Sequence, residues 1–243
     1  MSGRVGSITT GIIEDGLIFN MDAANRASYT FYTANSSSYN TVDPTQEGTL
    51  TNGVGFLSPP LSASCWDFDG VDDYISTVTL TDLGMAATNT MTVSCWVLFN
   101  TLTLYDTVMG ASSSPYYSDG FGFFIGSGGA SHPIYFFING SQWSGAISAG
   151  MDPLIGDWCH VVGVYDGTLG SNNIKIYLNG ILQAGMDDET SNIAGVTETI
   201  QIGRIYRNAD NCDGNIANAQ IYNRALSSNE VLHNYNALKG RFT

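Results

Sequence analysis

Short runs in which apolar and polar residues alternate make up much of the chain. The longest, residues 91–99, places Met, Val, Cys, Val and Phe on one side of an extended segment and Thr, Ser, Trp and Leu on the other. Because successive side chains of a strand point to opposite faces, this period of two predicts a β-strand. Shorter or weaker versions of the pattern predict strands at residues 16–21, 49–51, 105–110, 120–125, 134–138, 142–147, 156–167, 174–178, 200–205 and 214–223, and two more around the turn within 65–75.

Asn-Gly pairs mark tight turns between some of these runs. Asn139-Gly140 and Asn179-Gly180 each separate two apolar runs. Asn and Gly tolerate the left-handed backbone conformation that two-residue hairpin turns require. The sequence therefore predicts a β-hairpin around each pair.

A single stretch has the pattern of an α-helix. Residues 227–230, Ser-Ser-Asn-Glu, form a capping box, in which the Ser and Glu side chains bond backbone amides of the first turn. Val231, Tyr235 and Leu238 follow at helical spacing, and Gly240 is expected to end the helix. We expect this helix to cover a sheet edge or one end of the molecule. About a dozen strands and one short terminal helix predict an all-β protein with two antiparallel sheets packed as a sandwich.

Composition and charge narrow the functions to consider. The chain has 243 residues, of which 43% are hydrophobic and 12% charged, and its formal net charge is −14. An acidic chain without a basic cluster cannot displace the counterions of a phosphate backbone, so we expect no nucleic-acid binding. The first residues lack the pattern of a secretory signal, and no apolar run approaches about 18 residues. We therefore expect a soluble protein, made in a cytoplasm, with no membrane insertion.

The cysteines are arranged without a metal-binding or redox motif. No two of Cys65, Cys95, Cys159 and Cys212 form a Cys-x-x-Cys pair, which excludes a zinc knuckle and a thioredoxin-type site. In a cytoplasmic protein this arrangement favours buried free thiols over disulfides. The three histidines also lack the spacing of a catalytic zinc site.

The candidates for catalysis do not combine into a reaction centre. Retaining glycoside hydrolases place two carboxyl groups about 5 Å apart. The five glutamates of this chain are isolated from one another in the sequence, and no Gly-x-Ser-x-Gly motif is present. Cys159 and His160 are neighbours in a predicted strand, so their side chains point to opposite faces and cannot act as nucleophile and base. We therefore expect no enzymatic activity.

Five segments, taken in order, resemble one family of domains. No segment is diagnostic by itself, but the five segments in this order resemble the laminin-G-like, or concanavalin A-like, jelly roll. The segments are WDFDGVDDYI, MTVSCWV, GDWCHVVGVYDG, IKIYLNGIL and GNIANAQIYNRALSSNEVLHNY. The resemblance extends over most of the chain and implies a single jelly-roll domain at residues 16–243. Residues 1–15 are then expected to be an N-terminal arm that docks to a partner.

Three strings resemble a narrower group, the jelly-roll domains of tailed-phage virions, especially those of marine phages. They are GLIFNMDAANRASY, GTLTNGVGF and IYNRALSSNEVLHNYNALKGRF. This resemblance implies a non-enzymatic structural protein on the virion exterior, such as a fibre, decoration or tail-associated adhesion protein. Its expected partners are other virion proteins, further copies of itself in a homo-oligomer, and host-surface glycans. The alternatives are a stand-alone carbohydrate-binding module and, more remotely, a divergent glycoside hydrolase.

An aspartate-rich turn is the candidate metal site. Asp67, Asp69, Asp72 and Asp73 fall within seven consecutive residues. Carboxylate and backbone oxygens are the ligands that Ca²⁺ prefers, so Asp69 and Asp72 predict a calcium site. The resemblance implies that Asp213, in the turn before the last strand, completes it. The alternative is a solvated acidic turn whose side chains cap backbone amides.

Aromatic residues in polar loops are the candidate binding residues. Tyr105, Tyr116, Tyr117 and Trp143 lie in stretches rich in Asn, Ser and Gly. Aromatic rings stack on sugar faces while neighbouring amides bond hydroxyl groups, which favours glycan binding. Tyr and Trp are equally typical of subunit interfaces, so contacts between protein subunits are the alternative.

Overall fold

The protein is a sandwich of two antiparallel β-sheets with one helix near its C-terminus, as the sequence predicts. The computed structural model describes residues 11–29, 36–58, 63–113, 118–126, 131–140, 145–205 and 211–242. The strands are β1 (Leu17–Asp22), β2 (Ser37–Tyr39), β3 (Glu47–Thr51), β4 (Gly55–Leu57), β5 (Cys65–Asp69), β6 (Tyr74–Thr79), β7 (Thr90–Phe99), β8 (Thr107–Ala111), β9 (Phe121–Ile125), β10 (Pro133–Ile138), β11 (Ala146–Gly150), β12 (Trp158–Asp166), β13 (Ile174–Leu178), β14 (Ile181–Leu182), β15 (Thr199–Ile202) and β16 (Asp213–Tyr222). The helix α1 spans Ser228–Leu238, and 3-10 turns span Asp152–Leu154 and Lys239–Arg241. No helix among the described residues is long and apolar enough to cross a membrane.

The strands form two sheets of eight. Sheet A has the order β14-β13-β12-β7-β16-β5-β4, and β1 also lies beside β16. Sheet B has the order β11-β10-β9-β8-β15-β6-β3-β2. The named strands all pair antiparallel. Strands that are neighbours in a sheet, such as β7 and β16, are often far apart in the sequence.

One face of each sheet packs against the other to form the main core. In β7, Met91, Val93 and Cys95 are fully buried in this core, so the alternating Ser94 and Trp96 point away from sheet B. Burying a large apolar side chain contributes about 1.5–3 kcal/mol, and this layer contains most of the buried apolar residues. The four cysteines are all free and buried, as their spacing favours.

Both predicted hairpins have antiparallel strands, and the Asn-Gly turn is described completely in one of them. Asn179-Gly180 joins β13 to β14 with a positive φ at both residues. Asn139 also has a positive φ, and β10 pairs with β11 as the predicted hairpin requires, with Phe136 opposite Ala146. The Asn139 side chain makes hydrogen bonds of 2.7 and 2.9 Å to the backbone of residues 192–194. Residues 141–144 of this hairpin lie outside the described residues.

Helix α1 begins at the predicted capping box, and it packs on one face of sheet A. The Ser227 hydroxyl accepts a hydrogen bond from the Glu230 backbone amide, and the Glu230 carboxylate accepts one from the Ser227 amide. The helix packs on the outward face of sheet A, where its Val231 joins an apolar cluster with Val162 and Tyr222. The helix also contacts β14, the edge strand of sheet A, so it covers the expected edge and extends from there over the face of the sheet. The outward side chains of sheet A are apolar here, and the helix removes them from water.

Helix α1 ends at Leu238, two residues before the predicted end at Gly240, and the chain then continues along sheet A. Leu238 is the last helical residue, and Lys239–Arg241 tighten into a 3-10 turn. The Arg241 guanidinium donates two hydrogen bonds of 2.8 Å to the carboxylate of Asp22, at the end of β1. This bidentate ion pair fixes the C-terminal segment on the sheet.

Most of the predicted N-terminal arm lies outside the described residues. Its described part, residues 11–15, contacts α1: the backbone amide of Ile13 donates to Asn234 Oδ1 at 2.8 Å, and the Gly11 carbonyl lies 2.8 Å from His233 Nε2. This end of the arm is therefore held by the domain's own helix.

Candidate functional site

The outward face of sheet A is covered by the C-terminal part of the chain. The Trp96 indole is stacked on the rings of Phe242, Tyr235 and His160, with centroids 4.2, 5.6 and 5.0 Å away. Such ring pairs contribute about 0.5–1.5 kcal/mol each beyond the area that they bury. We call this surface, centred on Trp96 and His160, the covered face. A ligand has no access to it while the C-terminal segment is in place.

Polar groups are also enclosed on the covered face. His160 is fully buried, and its Nε2 lies 2.8 Å from the Ser94 hydroxyl. Burial lowers the pKa of His160 to about 3, so the ring is neutral near pH 7. Four buried atoms here make no hydrogen bond within the part of the chain that the structure describes: Trp96 Nε1, His160 Nδ1, Asn218 Oδ1 and Gln220 Oε1. Each unsatisfied group costs about 1–3 kcal/mol, so stacking and apolar burial have to offset them.

Cys159 and His160 lie on opposite sides of sheet A, as their positions in one strand predict. Cys159 belongs to the core between the sheets, where burial raises the pKa of its thiol to about 12. A protonated thiol is a poor nucleophile, and His160 is out of its reach. Among the glutamates, Glu230 is paired with Arg224 at 2.7 Å, and Glu189 accepts amide hydrogen bonds within its own loop. These two carboxylates have structural partners.

The outward face of sheet B has an aromatic half and a polar half. In the aromatic half, Phe124, Tyr135 and Phe137 pack together on β9 and β10, and the Phe124 and Tyr135 rings are stacked with centroids 5.0 Å apart. Tyr105 contacts this cluster from the loop before β8, with its centroid 6.3 Å from that of Phe124. Phe124 and Phe137 are fully buried, whereas Tyr105 is partly exposed. Tyr105 therefore lies at the rim of the aromatic half.

Among the four predicted binding residues, Tyr105 falls within the described residues. Tyr116, Tyr117 and Trp143 lie outside them. The described part of the chain therefore places one member of this set against sheet B, and glycan binding by the other three stays a prediction.

The polar half of this face is formed by the neighbouring strands β6 and β15 and the residues after β15. The hydroxyls of Ser76 and Thr199 lie 2.8 Å apart, and Arg204 Nε donates to Gln201 Oε1 at 3.1 Å. The Arg204 guanidinium lies 3.4 Å from the centroid of the Tyr74 ring. All five side chains are partly exposed. We call these five residues the open strip.

Strand alternation explains why the open strip faces solvent. Ile75, Ile200 and Ile202 are buried in the core between the sheets, so the residues between them point outward. The alternation is visible in the sequence, but Ser76 and Thr199 are 123 residues apart. No local pattern signals that their strands pair, which is why sequence reasoning missed this surface.

The aspartate-rich turn connects β5 of sheet A to β6 of sheet B and brings three carboxylates together. Asp69, Asp72 and Asp73 each place one oxygen within 4.8 Å of the others. Gly70 has a φ of 72°, and a Cβ added to it would lie 2.8 Å from the Cβ of Asp213. The turn thus requires glycine. We call the three converging residues the aspartate corner.

Asp73 is the buried member of the aspartate corner. It is 4% exposed, whereas Asp69 and Asp72 are exposed. Its Oδ2 accepts a 3.3 Å hydrogen bond from the Asp69 amide, and its Oδ1 accepts none from the described residues. Burial and, next, the charge of Asp69 raise the pKa of Asp73 above its ordinary value. The sequence shows Asp73 in the turn but does not show that it is buried.

Asp213 lies beside this turn, but its carboxylate is hydrogen-bonded to residues outside the turn. It pairs with Asp69 between β16 and β5. Its carboxylate accepts hydrogen bonds from Asn100 Nδ2 at 3.1 Å and from Thr101 Oγ1 at 2.7 Å. Both of its oxygens are thus directed at the loop after β7. The carboxylates that converge are those of Asp69, Asp72 and Asp73. The sequence predicted Asp213 as the third member, and Asp73 takes its place.

A family model matches the chain over more than half of its length. The family is the concanavalin A-like lectin/glucanases superfamily, and the match extends over residues 69–232. The chain belongs to this family. The laminin-G-like resemblance of the sequence is thereby confirmed, and the sandwich is of the lectin-like type. No match is found among curated proteins.

Several solved structures share the fold. Domain 4 of AbnA, an extracellular GH43 arabinanase from Geobacillus stearothermophilus solved with arabinotriose, is 17% identical with a TM-score of 0.61, and the match covers 92% of this chain and 100% of that one. The receptor-binding domain of botulinum neurotoxin C/D mosaic serotype is 17% identical with a TM-score of 0.66 and coverages of 92% and 52%. Trypanosoma rangeli sialidase in complex with sialic acid is 14% identical with a TM-score of 0.63 and coverages of 94% and 34%. This chain thus spans all of the arabinanase domain but only part of the other two, and at these identities the likeness concerns the fold.

Proposed function

We propose that this domain is a non-catalytic glycan-binding module, and that its ligand lies on the outward face of sheet B between the open strip and Tyr105. The contrast between the two outward faces carries the proposal. The C-terminal segment encloses Trp96 and its neighbours on sheet A, whereas the open strip presents an aromatic ring, a guanidinium, an amide and two hydroxyls to solvent.

The side chains of the open strip have the chemistry that sugars require. The ring of Tyr105, at the rim, is able to pack on the apolar face of a sugar, while amide, hydroxyl and guanidinium groups of the open strip bond its hydroxyls. Arg204 and Gln201 are already hydrogen-bonded to each other, so both groups are oriented before a ligand arrives. The arabinanase domain that shares this fold was solved with arabinotriose, which supports a sugar as the ligand class.

Glycan-array binding of wild type and two glutamine variants tests this proposal. The array includes arabino-oligosaccharides and sialosides, since two of the structural relatives were solved with such sugars. Gln201→Ala removes the amide of the open strip and should weaken binding about tenfold, the loss expected for one hydrogen bond of about 1.4 kcal/mol. Gln183→Ala, after β14 of sheet A, is the matched control and should bind like the wild type.

Two outcomes contradict glycan binding at the open strip. In the first, the wild type retains no glycan on the array. In the second, both glutamine variants lose binding to the same extent. Thermal melting of both variants accompanies the array, because Gln201→Ala is expected to change the free energy of unfolding by less than about 0.5 kcal/mol.

We also infer that the module is displayed in several copies on the exterior of a tailed-phage virion, in contact with other virion proteins. Support comes from the three strings that resemble phage domains. They include β1, β3 and the run from the end of β16 through α1, which are framework elements and not the open strip. Many copies of a weak site give a high overall avidity for a glycan-bearing surface.

Negative-stain imaging of purified particles, labelled with an antibody against this chain, tests the location. Label on the outer surface of head or tail is expected. Particles that lack the chain would favour the alternative of a stand-alone carbohydrate-binding module.

The remaining alternative is a divergent glycoside hydrolase. The partners of Glu189 and Glu230 support a non-catalytic protein, since neither carboxylate is available to pair with a second acid. Incubation of the purified chain with arabinan and with a sialoside should release no reducing sugar. If reducing sugar were released and if Glu198→Gln or Glu14→Gln abolished this release, the assignment would be contradicted.

A further inference from the structure

We propose that Trp96 and Trp158 on sheet A form a second sugar-binding site, which the chain's own Phe242 covers. The Phe242 ring contacts both indoles, with its centroid 4.2 Å from that of Trp96 and 4.8 Å from that of Trp158. It is stacked on Trp96 with 16° between the ring planes. A sugar ring packs on an indole in the same face-to-face way. This site goes beyond the one proposed on sheet B and does not depend on it.

The register of sheet A places the two indoles side by side, and we call them the tryptophan platform. His160 on β12 pairs with Trp96 on β7, and Trp158 lies two residues before His160, on the same face of the sheet. Trp96 is 1% exposed, whereas Trp158 and Phe242 are partly exposed. The platform therefore extends from a buried ring to a ring at the surface, and Phe242 lies over both.

Two polar atoms beside the platform point to a ligand other than a phenyl ring. Trp96 Nε1 is a donor and Asn218 Oδ1 an acceptor, and both are buried without a hydrogen-bond partner among the described residues. Asn218 pairs with Trp96 between β16 and β7, so the two groups are neighbours. The Phe242 ring can bond neither of them, whereas a sugar hydroxyl both accepts and donates. A sugar is therefore able to satisfy atoms that Phe242 leaves unpaired.

The segment that carries Phe242, residues 239–242, is able to open without unfolding the sandwich. We call it the tail. Arg241 holds it through two hydrogen bonds to Asp22, and these side chains are 28% and 15% exposed, so water replaces the ion pair when it separates. The Phe242 amide is bonded within the tail, to the Lys239 carbonyl at 2.9 Å. Helix α1 packs on its own apolar cluster of sheet A and stays in place.

Opening of the tail also releases a carboxylate beside the platform. Asp22 pairs with Asn218 between β1 and β16, so a carboxylate, an amide oxygen and the Trp96 indole follow one another across three strands. Once Arg241 has left, the Asp22 carboxylate can accept hydrogen bonds from sugar hydroxyls and repels an anionic sugar. We therefore expect a neutral sugar on the platform.

Glycan-array binding of the full chain tests this site, with Gln201→Ala present in every sample so that the open strip does not contribute. Phe242→Ala removes the cover and keeps both indoles. It should bind neutral arabino-oligosaccharides at least about tenfold more tightly than the parent, because the apparent affinity of a covered site rises with the fraction of open molecules. Sialosides, which are anionic, should show no such gain. Adding Trp158→Ala to Phe242→Ala should abolish the gained binding.

Arg241→Ala is a second, milder way to open the tail. It keeps all three rings and removes the ion pair, so binding should tighten by about two- to fivefold. This variant decides the outcome if thermal melting shows that Phe242→Ala does not fold.

Leu232→Ala is the matched control. Leu232 is an apolar residue of α1 that is 43% exposed and does not belong to the platform, so this variant should bind like the parent. The proposal would be overturned if neither folded tail variant gained binding to a neutral sugar. A gain that Trp158→Ala leaves unchanged, or an equal gain in Leu232→Ala, would also overturn it, because general loosening of the fold would then explain the binding.

Discussion

The two outward faces of the sandwich differ in what lies over them. On sheet A, α1 and the segment up to Phe242 enclose Trp96 and His160, which are 1% and 0% exposed. On sheet B, the five side chains of the open strip stay partly exposed. The strands of both sheets alternate in the same way toward the common core. One terminal segment therefore makes the difference, because it converts one face into a second buried layer.

The difference shows how stability and binding are divided between the faces. The covered face combines stacked rings with buried polar atoms that have no hydrogen-bond partner among the described residues, so each large side chain there has to contribute stability. In the open strip, Ser76 is paired with Thr199 and Arg204 with Gln201, and all of these side chains are partly exposed. We therefore expect substitutions on the covered face to change stability far more than those on the open strip.

Trp96→Ala should have the largest effect. It deletes a buried indole and the three ring contacts around it, so the free energy of unfolding should fall by about 3–5 kcal/mol. Tyr74→Ala removes a ring from the open strip and should cost less than about 1 kcal/mol. Urea denaturation of both variants measures the difference. Equal losses would mean that the open strip is as much a part of the core as the covered face.

The pH dependence of stability tests whether His160 is enclosed. The pKa of His160 in the folded state, about 3, lies below its ordinary value of 6.5. Between these values the unfolded chain binds a proton that the folded chain does not. The contribution of neutral His160 is therefore complete above pH 6.5 and is lost as the pH falls through this window.

Between pH 6.5 and pH 4.5, wild type should lose about 2–3 kcal/mol relative to His160→Asn. This interval lies above the range in which Glu230 titrates, because its ion pair and hydrogen bonds with Arg224 lower the pKa of Glu230 to about 2. The measurement is the slope of unfolding free energy against pH, which a uniform loss of stability in the variant does not affect. Parallel curves would show that solvent reaches the ring on the covered face.

The aromatic half of sheet B should give an intermediate effect. A Cβ added to Gly122 would lie 2.9 Å from Phe137 Cε1 and 3.1 Å from Ile205 Cδ1. Gly122→Ala should therefore destabilise the protein by about 1–3 kcal/mol through overpacking. Gly170→Ala, where no atom lies within 4 Å of the added Cβ, is the control and should stabilise by up to about 1 kcal/mol. If Gly122→Ala left the melting temperature unchanged, the aromatic half would be packed as loosely as the open strip.

Local patterns in the sequence predicted the elements that depend on neighbouring residues. The capping box at residues 227–230 predicted where α1 begins, because its hydrogen bonds join residues three apart. Alternation over residues 91–99 predicted β7, and the Asn179-Gly180 pair predicted its hairpin. The ordered segments together predicted the family and hence the sandwich.

Only the tertiary structure decided which residues form the candidate sites. It buried Asp73 beside Asp69, turned Asp213 toward the loop after β7, and joined Ser76 to Thr199 in the open strip. Alternation shows to which face of the sheet a side chain points, but not which element packs on that face. That choice depends on the order of strands in each sheet and on where α1 packs, and both are set by contacts between residues far apart in the chain.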